Sequence, residues 1–224
     1  MNDHMHDDDI NHHSASLKTP LTADAFVKSD EEKIALIEGH FQGIMETLGL
    51  DLEDDSLKGT AHRVAKMYVT ETFAGLHPDR KPALNTFDNS YQYSEMLVEK
   101  DIVIYSTCEH HFMPIIGRAH IAYMSNDRVI GLSKMNRIVD YYAKRPQVQE
   151  RLTRQVASAL IEALGTNDIA VIISAKHLCV NARGIRDTDS STVTAEYNGR
   201  FKENESLRQE FLRYIEMETD HGDT

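Results

Sequence analysis

Residues 96–124 read MLVEKDIVIYSTCEHHFMPIIGRAHIAYM. Two runs rich in β-branched and aromatic residues, Ile102-Val-Ile-Tyr105 and Ala119-His-Ile-Ala-Tyr123, flank a short link that holds Pro114 and Gly117. Strand-type runs joined by turn residues predict an antiparallel pair over residues 96–107 and 115–124. Helix follows from 133 to 144. Pro146 then opens another to 164, whose Val148, Leu152, Val156, Ala159, Leu160 and Ala163 form one apolar stripe. Residues 169–175 return to strand, 181–192 read as a loop, 192–197 as a short strand, and Leu207, Phe211, Leu212 and Ile215 mark a last amphipathic helix. This order predicts an α+β fold, an antiparallel sheet with helices on one face.

Upstream, Ser29 with Glu32 three residues on is a capping-box pattern, and Ile34, Ile37, Phe41, Ile44 and Leu48 follow at helical spacing up to Gly49. A second helix is predicted over residues 60–72, and 77–90 read as a loop or boundary. The chain is read as a disordered polar tail (1–28), an N-terminal helical segment (29–90), a main domain (91–218) and a short tail (219–224). The first tail carries His4, His6, His12 and His13 beside Asp3, Asp7, Asp8 and Asp9.

The 224 residues are 41% hydrophobic and 27% charged, a globular composition large enough for a real core. No uncharged apolar run approaches the roughly 18 residues of a membrane helix, and the acidic start does not resemble a secretory signal. A cytoplasmic, reducing location is expected, without membrane contact. The net charge of −12 argues against nucleic-acid binding. Yet residues 118–186 hold 11 basic against 5 acidic side chains, which suits a local anion site.

The densest chemistry lies at Cys108-Glu109-His110-His111, at the end of a predicted strand, and at His177-Leu178-Cys179, at the end of another. If those strands are neighbours, five sulfur and nitrogen donors meet where zinc needs four or fewer. Strand alternation separates His110 from His111 and puts His177 and Cys179 on one side, so it does not choose between the latter two. We favour Cys108, His111 and Cys179 as ligands, with His110 and His177 unligated nearby. Three protein ligands leave a position for water, whose pKa zinc lowers toward ~7, and histidines beside it suit proton transfer. A closed zinc site that only staples strands fits these residues alone equally well.

Three other groups bear on an anionic substrate. Ser133 reads as an N-cap, which places Lys134 and Arg137 on the first turn of its helix, where two cations and exposed N–H groups favour phosphate. Arg183 and Arg186 follow Cys179 in a loop, and guanidinium grips phosphate bidentately. Glu150, after Gln149, offers a carboxylate able to accept the two N–H groups of a guanine edge. Convergence of these cations on one metal-bearing edge would set them apart from ordinary solvated charge.

At these residues the sequence resembles GTP cyclohydrolase I. The matching stretches are Thr107-Cys-Glu-His-His-Phe112, Val129-Ile-Gly-Leu-Ser-Lys-Met-Asn-Arg-Ile138, Arg145-Pro-Gln-Val-Gln-Glu-Arg-Leu-Thr153 and His177-Leu-Cys-Val-Asn-Ala-Arg-Gly-Ile-Arg186, in the family's order and spacing. The resemblance implies one zinc ion per subunit on Cys108, His111 and Cys179, with proton transfer by His110 and His177. It places Glu150 and Gln149 at the guanine, and Ser133, Lys134, Arg137, Arg183 and a neighbouring subunit's Arg63 at the ribose and triphosphate. It further implies the tunnelling fold, in which sheets of several subunits join into a barrel, a homodecamer, and GTP as substrate, opened with loss of formate to 7,8-dihydroneopterin triphosphate at the head of folate and pterin synthesis. Thr60-Ala61-His62-Arg63 departs from the family's Thr-Pro-x-Arg by losing the proline.

Overall fold

Ser29 caps the first helix reciprocally: its Oγ accepts the Glu32 N–H at 3.2 Å, and the Glu32 carboxylate accepts the Ser29 N–H at 2.7 Å. In the computed structural model, which describes residues 16–218, this helix, α1, spans Asp30–Thr47. The histidine-bearing start, 1–15, and the end, 219–224, lie outside the described residues. Helix α2 (Thr60–Met67) packs against α1, and His62 Nδ1 lies 2.8 Å from the Glu38 carboxylate between them. The single helix expected to residue 72 instead widens into a π-turn at Tyr68–Thr72, where the Phe73 N–H reaches back to the Tyr68 carbonyl. That turn sets the Phe73 ring 5.4 Å from the ring of Phe112.

The main sheet has the order β5-β2-β3-β6-β7, from strands β2 (Met96–Cys108), β3 (Pro114–Met124), β5 (Pro146–Gln147), β6 (Ile169–His177) and β7 (Thr192–Tyr197). All pairings are antiparallel except β2 with β5. Pro146 thus opens a strand and not a helix: it lacks an N–H, and Gln147 accepts the Glu109 N–H at 3.0 Å. Gly117 belongs to β3 and not to the link. A Cβ there would stand 2.2 Å from the Ser174 carbonyl oxygen, so β6 can lie this close only against glycine. Inside the stretch read as a loop, β1 (Thr86–Asp88) pairs with β4 (Arg128–Ile130) as a separate ribbon.

Helices α3 (Leu132–Ala143) and α4 (Gln149–Leu164) cover one face. Met135, Ile138, Val139, Leu152, Val156 and Leu160 meet Ile102, Ile104, Ile121 and Ile173 there, each buried, and each fully buried Leu or Ile contributes roughly 1.5–3 kcal/mol. The short α5 (Leu178–Asn181) follows β6, and α6 (Arg200–Glu203) and α7 (Glu205–Glu216) close the chain. The expectation of helices on one face is corrected by this last pair, whose Phe201 and Phe211 bury Met96, Met124 and Ile172 on the other. Beyond them that face stays bare, with Val103, Tyr105, Ile116 and Val193 between 41 and 67% exposed. Residues 16–28, read as tail, are tied down where they begin: Arg151, Gln155 and Arg145 donate to Ser16, Leu17 and Thr19.

The β2 strand bulges between Glu99 and Ile102, and Asp101 there has φ 60°. Its N–H is accepted by Nδ1 of the buried His120 at 3.2 Å. Burial, partly opposed by the Asp101 carboxylate, holds this imidazole below its ordinary 6.5. As pH falls from about 6.5, the unfolded chain takes up a proton that the folded chain refuses, so stability is lost on the acid side and unaffected above it. His120→Gln is therefore expected to flatten the decline of Tm between about pH 6.5 and 5; an unchanged slope in thermal unfolding would remove His120 as its cause.

Candidate active site

Two strand ends create the site. The β2 strand finishes at Cys108 and β6 at His177, and β3 runs between them, with Thr107 paired to Pro114 and Ile115 to His177. Segments 71 positions apart in sequence therefore meet at one end of the sheet. Residues 109–113 form the tight link from β2 to β3: the Cys108 N–H donates to the Met113 carbonyl, the Phe112 N–H to the Cys108 carbonyl, and Phe112 takes φ 52°.

The Sγ atoms of Cys108 and Cys179 and one ring nitrogen of His177 lie within 4.8 Å of one another. Both thiols are free and buried. Burial pushes the Cys108 thiol up, but hydrogen bonds from His177, the backbone at His110, Cys179 and the backbone at His111 together prevail and hold it at about 6. Cys179 is pushed up to about 11 by burial and by the neighbouring Cys108 sulfur, against the opposing Arg183 charge. The pair thus shares one negative charge near neutral pH, and the thiolate is the form that binds metal. A zinc ion with ~2.3 Å bonds separates tetrahedral ligand atoms by ~3.8 Å, so these soft donors fit it after small adjustments.

The histidines are placed differently from one another. His111, favoured as the third ligand, is outside this group: it is exposed on the link, where its backbone supports Cys108. The imidazole within 4.8 Å of both thiols is that of His177. His110 is also exposed, its Nδ1 3.8 Å from Cys108 Sγ and its Nε2 4.0 Å from the Glu109 carboxylate.

Gln149, expected at the guanine, is 1% exposed and its amide is engaged within the fold. Its Nε2 lies within hydrogen-bond reach of the Ile173 and Thr192 carbonyls and Thr194 Oγ1, which leaves Oε1 to face His177 Nε2 at 2.8 Å. An amide oxygen only accepts, so His177 donates to it from Nε2. Glu150, one residue on and turned about 100° around the helix, is exposed.

The cations do not converge within one chain. Arg183 lies beside Cys179, in the exposed loop after α5. Helix α3, however, runs alongside β2 in the same direction: Asn136 contacts Glu99 near the start of that strand, whereas Pro146, just beyond the helix, pairs with Thr107 near its end. Ser133, Lys134 and Arg137 therefore sit at the far end of β2 from Cys108, roughly 25–30 Å away along the strand. Gly131, and not Ser133, is the N-cap of α3, with no side-chain bond, so Ser133 lies inside the first turn. Arg63 on α2 is exposed and turned onto the Lys58 carbonyl and Thr60 Oγ1.

Sequence reading passed over Arg151. It lies on the buried side of α4 and clamps Glu109 with both arms of its guanidinium, at 2.6 and 3.2 Å. The available signal was the spacing of Arg151 and Gln155, four apart beside the apolar stripe, where two long polar side chains face inward.

The family model described as GTP cyclohydrolase I matches residues 37–216. The chain is 62% identical over 208 residues to GTP cyclohydrolase 1 of Flavobacterium johnsoniae, covering 93% of each chain. It is 52% identical over 199 residues to the enzyme of that name from Klebsiella pneumoniae, covering 89% of this chain and 90% of the other. The Citrobacter koseri protein of the same name is 51% identical over the same shares.

Proposed function

The chain belongs to the GTP cyclohydrolase I family, and from that premise we propose that it opens the guanine imidazole ring of GTP, releases formate and rearranges the product to 7,8-dihydroneopterin triphosphate, the first step of folate and tetrahydropterin synthesis. The observation that carries this reading is the pair of buried thiols and an imidazole gathered at the sheet end, one thiol held at about 6. Cys108 and Cys179 would hold one zinc ion per subunit, with His111, which the family resemblance names, as third donor. When bound, zinc supplies Lewis-acid chemistry and a nucleophile at neutral pH.

The chain's own residues do the rest. Glu150 accepts from the guanine N–H groups and fixes the base. His110 and His177 pass protons to and from the purine nitrogens as the C8–N bond opens to a formamide and formate then leaves. Gln149 keeps His177 in one tautomer. Lys134, Arg137, Arg183 and Arg63 grip the triphosphate, and Ser133 assists the ribose rearrangement; fixing the nucleotide this way lowers the barrier by positioning.

Because α3 puts its cations at the far end of the sheet, a complete site needs a second copy of the chain. Such a neighbour bringing Ser133, Lys134 and Arg137 to this Cys108 edge is the arrangement of the tunnelling fold, in a homodecamer. The bare apolar face at Val103, Tyr105 and Ile116 supports it. Residues 91–218 form the catalytic domain and 29–90 the helical segment that carries Arg63. No helix among the described residues is long and apolar enough to cross a membrane. Free buried thiols suit a reducing cytoplasm.

The test is formate release from GTP by the zinc-loaded protein, measured with the rise in dihydropterin absorbance. Chelation is expected to abolish both and zinc to restore them. Zinc-loaded wild type that releases no formate would refute the enzyme.

A further inference from the structure

Glu109, between a proposed ligand and a proposed proton carrier, is held at two places, and both supports lead to the same short segment. Its carboxylate takes two hydrogen bonds from Arg151, whose side chain is only 5% exposed. A third guanidinium donor, Nε, goes to the Ser16 carbonyl at 3.1 Å. Its backbone N–H goes to the Gln147 carbonyl. The Gln147 side chain is completely buried and donates to Gln155 Oε1 at 2.8 Å, and Gln155 Nε2 donates in turn to the Leu17 carbonyl at 2.8 Å. Arg145, which starts the turn into β5, lies over the rings of Tyr141 and Tyr142 at 4.5 and 4.6 Å and reaches Thr19 Oγ1 at 3.1 Å.

Residues 16–19 thus supply acceptors to Arg151, Gln155 and Arg145, all buried on α4 or at its approach. A guanidinium cannot shed its charge, and a buried donor without an acceptor is costly. Remove the segment, and Arg151 must turn toward water for its lost acceptor or remain unpaired at Nε; either loosens the fork on Glu109.

We propose that residues 16–19 are a strap that positions the Cys108–His111 link through Arg151 and Glu109, setting how tightly the metal is held. The inference rests on the reading of Cys108 as a ligand. Arg151 and Glu109 are positioning residues: the strap acts on Arg151, Arg151 on Glu109, and Glu109 on the ligands beside it. Groups behind a metal ligand typically change affinity about 10–100-fold when removed.

The test measures zinc affinity by competition with a chromophoric chelator, together with formate release, in the full chain and in chains lacking residues 1–15 or 1–19. Loss of 1–15 is expected to leave affinity unchanged, and loss of 1–19 to weaken it about 10–100-fold. Glu109→Ala is expected to weaken it similarly. Combined with loss of 1–19, it should weaken affinity little further, because both break one chain of contacts, whereas independent effects would multiply. Arg151→Lys, which keeps the charge without the fork, should fall between. Unchanged affinity on losing 1–19, an equal loss on removing 1–15 alone, or multiplying effects would each overturn the strap. Wild type that binds no zinc would instead overturn the ligand reading on which it rests.

Discussion

Cys108→Ala is expected to lose bound zinc and formate release together, with activity falling about 10³-fold or more, because the metal supplies several kcal/mol of the rate enhancement. Cys108 has the stronger case of the two thiols. It is held at about 6, so it offers a thiolate at neutral pH without waiting for the metal to displace a proton. Replacing it also leaves the backbone donors at His110 and His111 aimed at an empty position. His110→Ala is expected to behave otherwise, keeping zinc while kcat drops roughly 10²–10⁴-fold, as loss of a proton carrier does. Metal analysis beside the formate assay distinguishes these outcomes. A His110→Ala protein without zinc, or a Cys108→Ala protein that retains it, would show the ligand set to be wrong. The same pair of measurements assigns the third donor: His111→Ala should lose metal and His177→Ala keep it, and the reverse would give the place to the imidazole that already lies within 4.8 Å of both thiols.

Gln149→Leu carries the second large effect. The substitution takes donors from the Ile173 and Thr192 carbonyls and the acceptor from His177 Nε2, at a residue that is itself 1% exposed. Unpaired buried groups of this kind cost about 1–3 kcal/mol, so Tm should fall. The sharper result is kinetic. With its partner gone, His177 is free to rotate and to change tautomer, and kcat is expected to fall about 10–100-fold with KM for GTP close to wild type. Were Gln149 a guanine contact, KM would rise with kcat nearly intact. Steady-state kinetics on GTP therefore decide between the two roles.

Much of the fold was legible where local chemistry and tertiary packing agree. The capping box at Ser29 and Glu32 forms as its spacing requires, and α4 buries the stripe from Leu152 to Leu160 that its 3.6-residue period lays on one side. Legibility failed where backbone hydrogen bonds are made at a distance. Pro146 and Gln147 have a helix-opening sequence but become a two-residue strand because β2 ends beside them. Thr86–Asp88 is too short to show a period and is a strand only because Arg128–Ile130 lies across from it.

The site divides in the same way. Residue types and spacing were enough to name Cys108, Cys179, His110, His111 and His177 as candidates, since few side chains bind a soft ion and all five lie at or just beyond strand ends. Spacing along a chain says nothing about which ends of two elements coincide. That the cations of α3 stand at the opposite end of β2 from the thiols, that Gln149 turns inward to His177, and that Arg151 reaches past its own helix to Glu109 depend on the parallel run of helix over strand and on one helical step of about 100°. By itself, the sequence determined what chemistry the chain carries; only the tertiary structure decided which groups share a space, because contact between residues 71 apart is set by sheet order and not by distance along the chain.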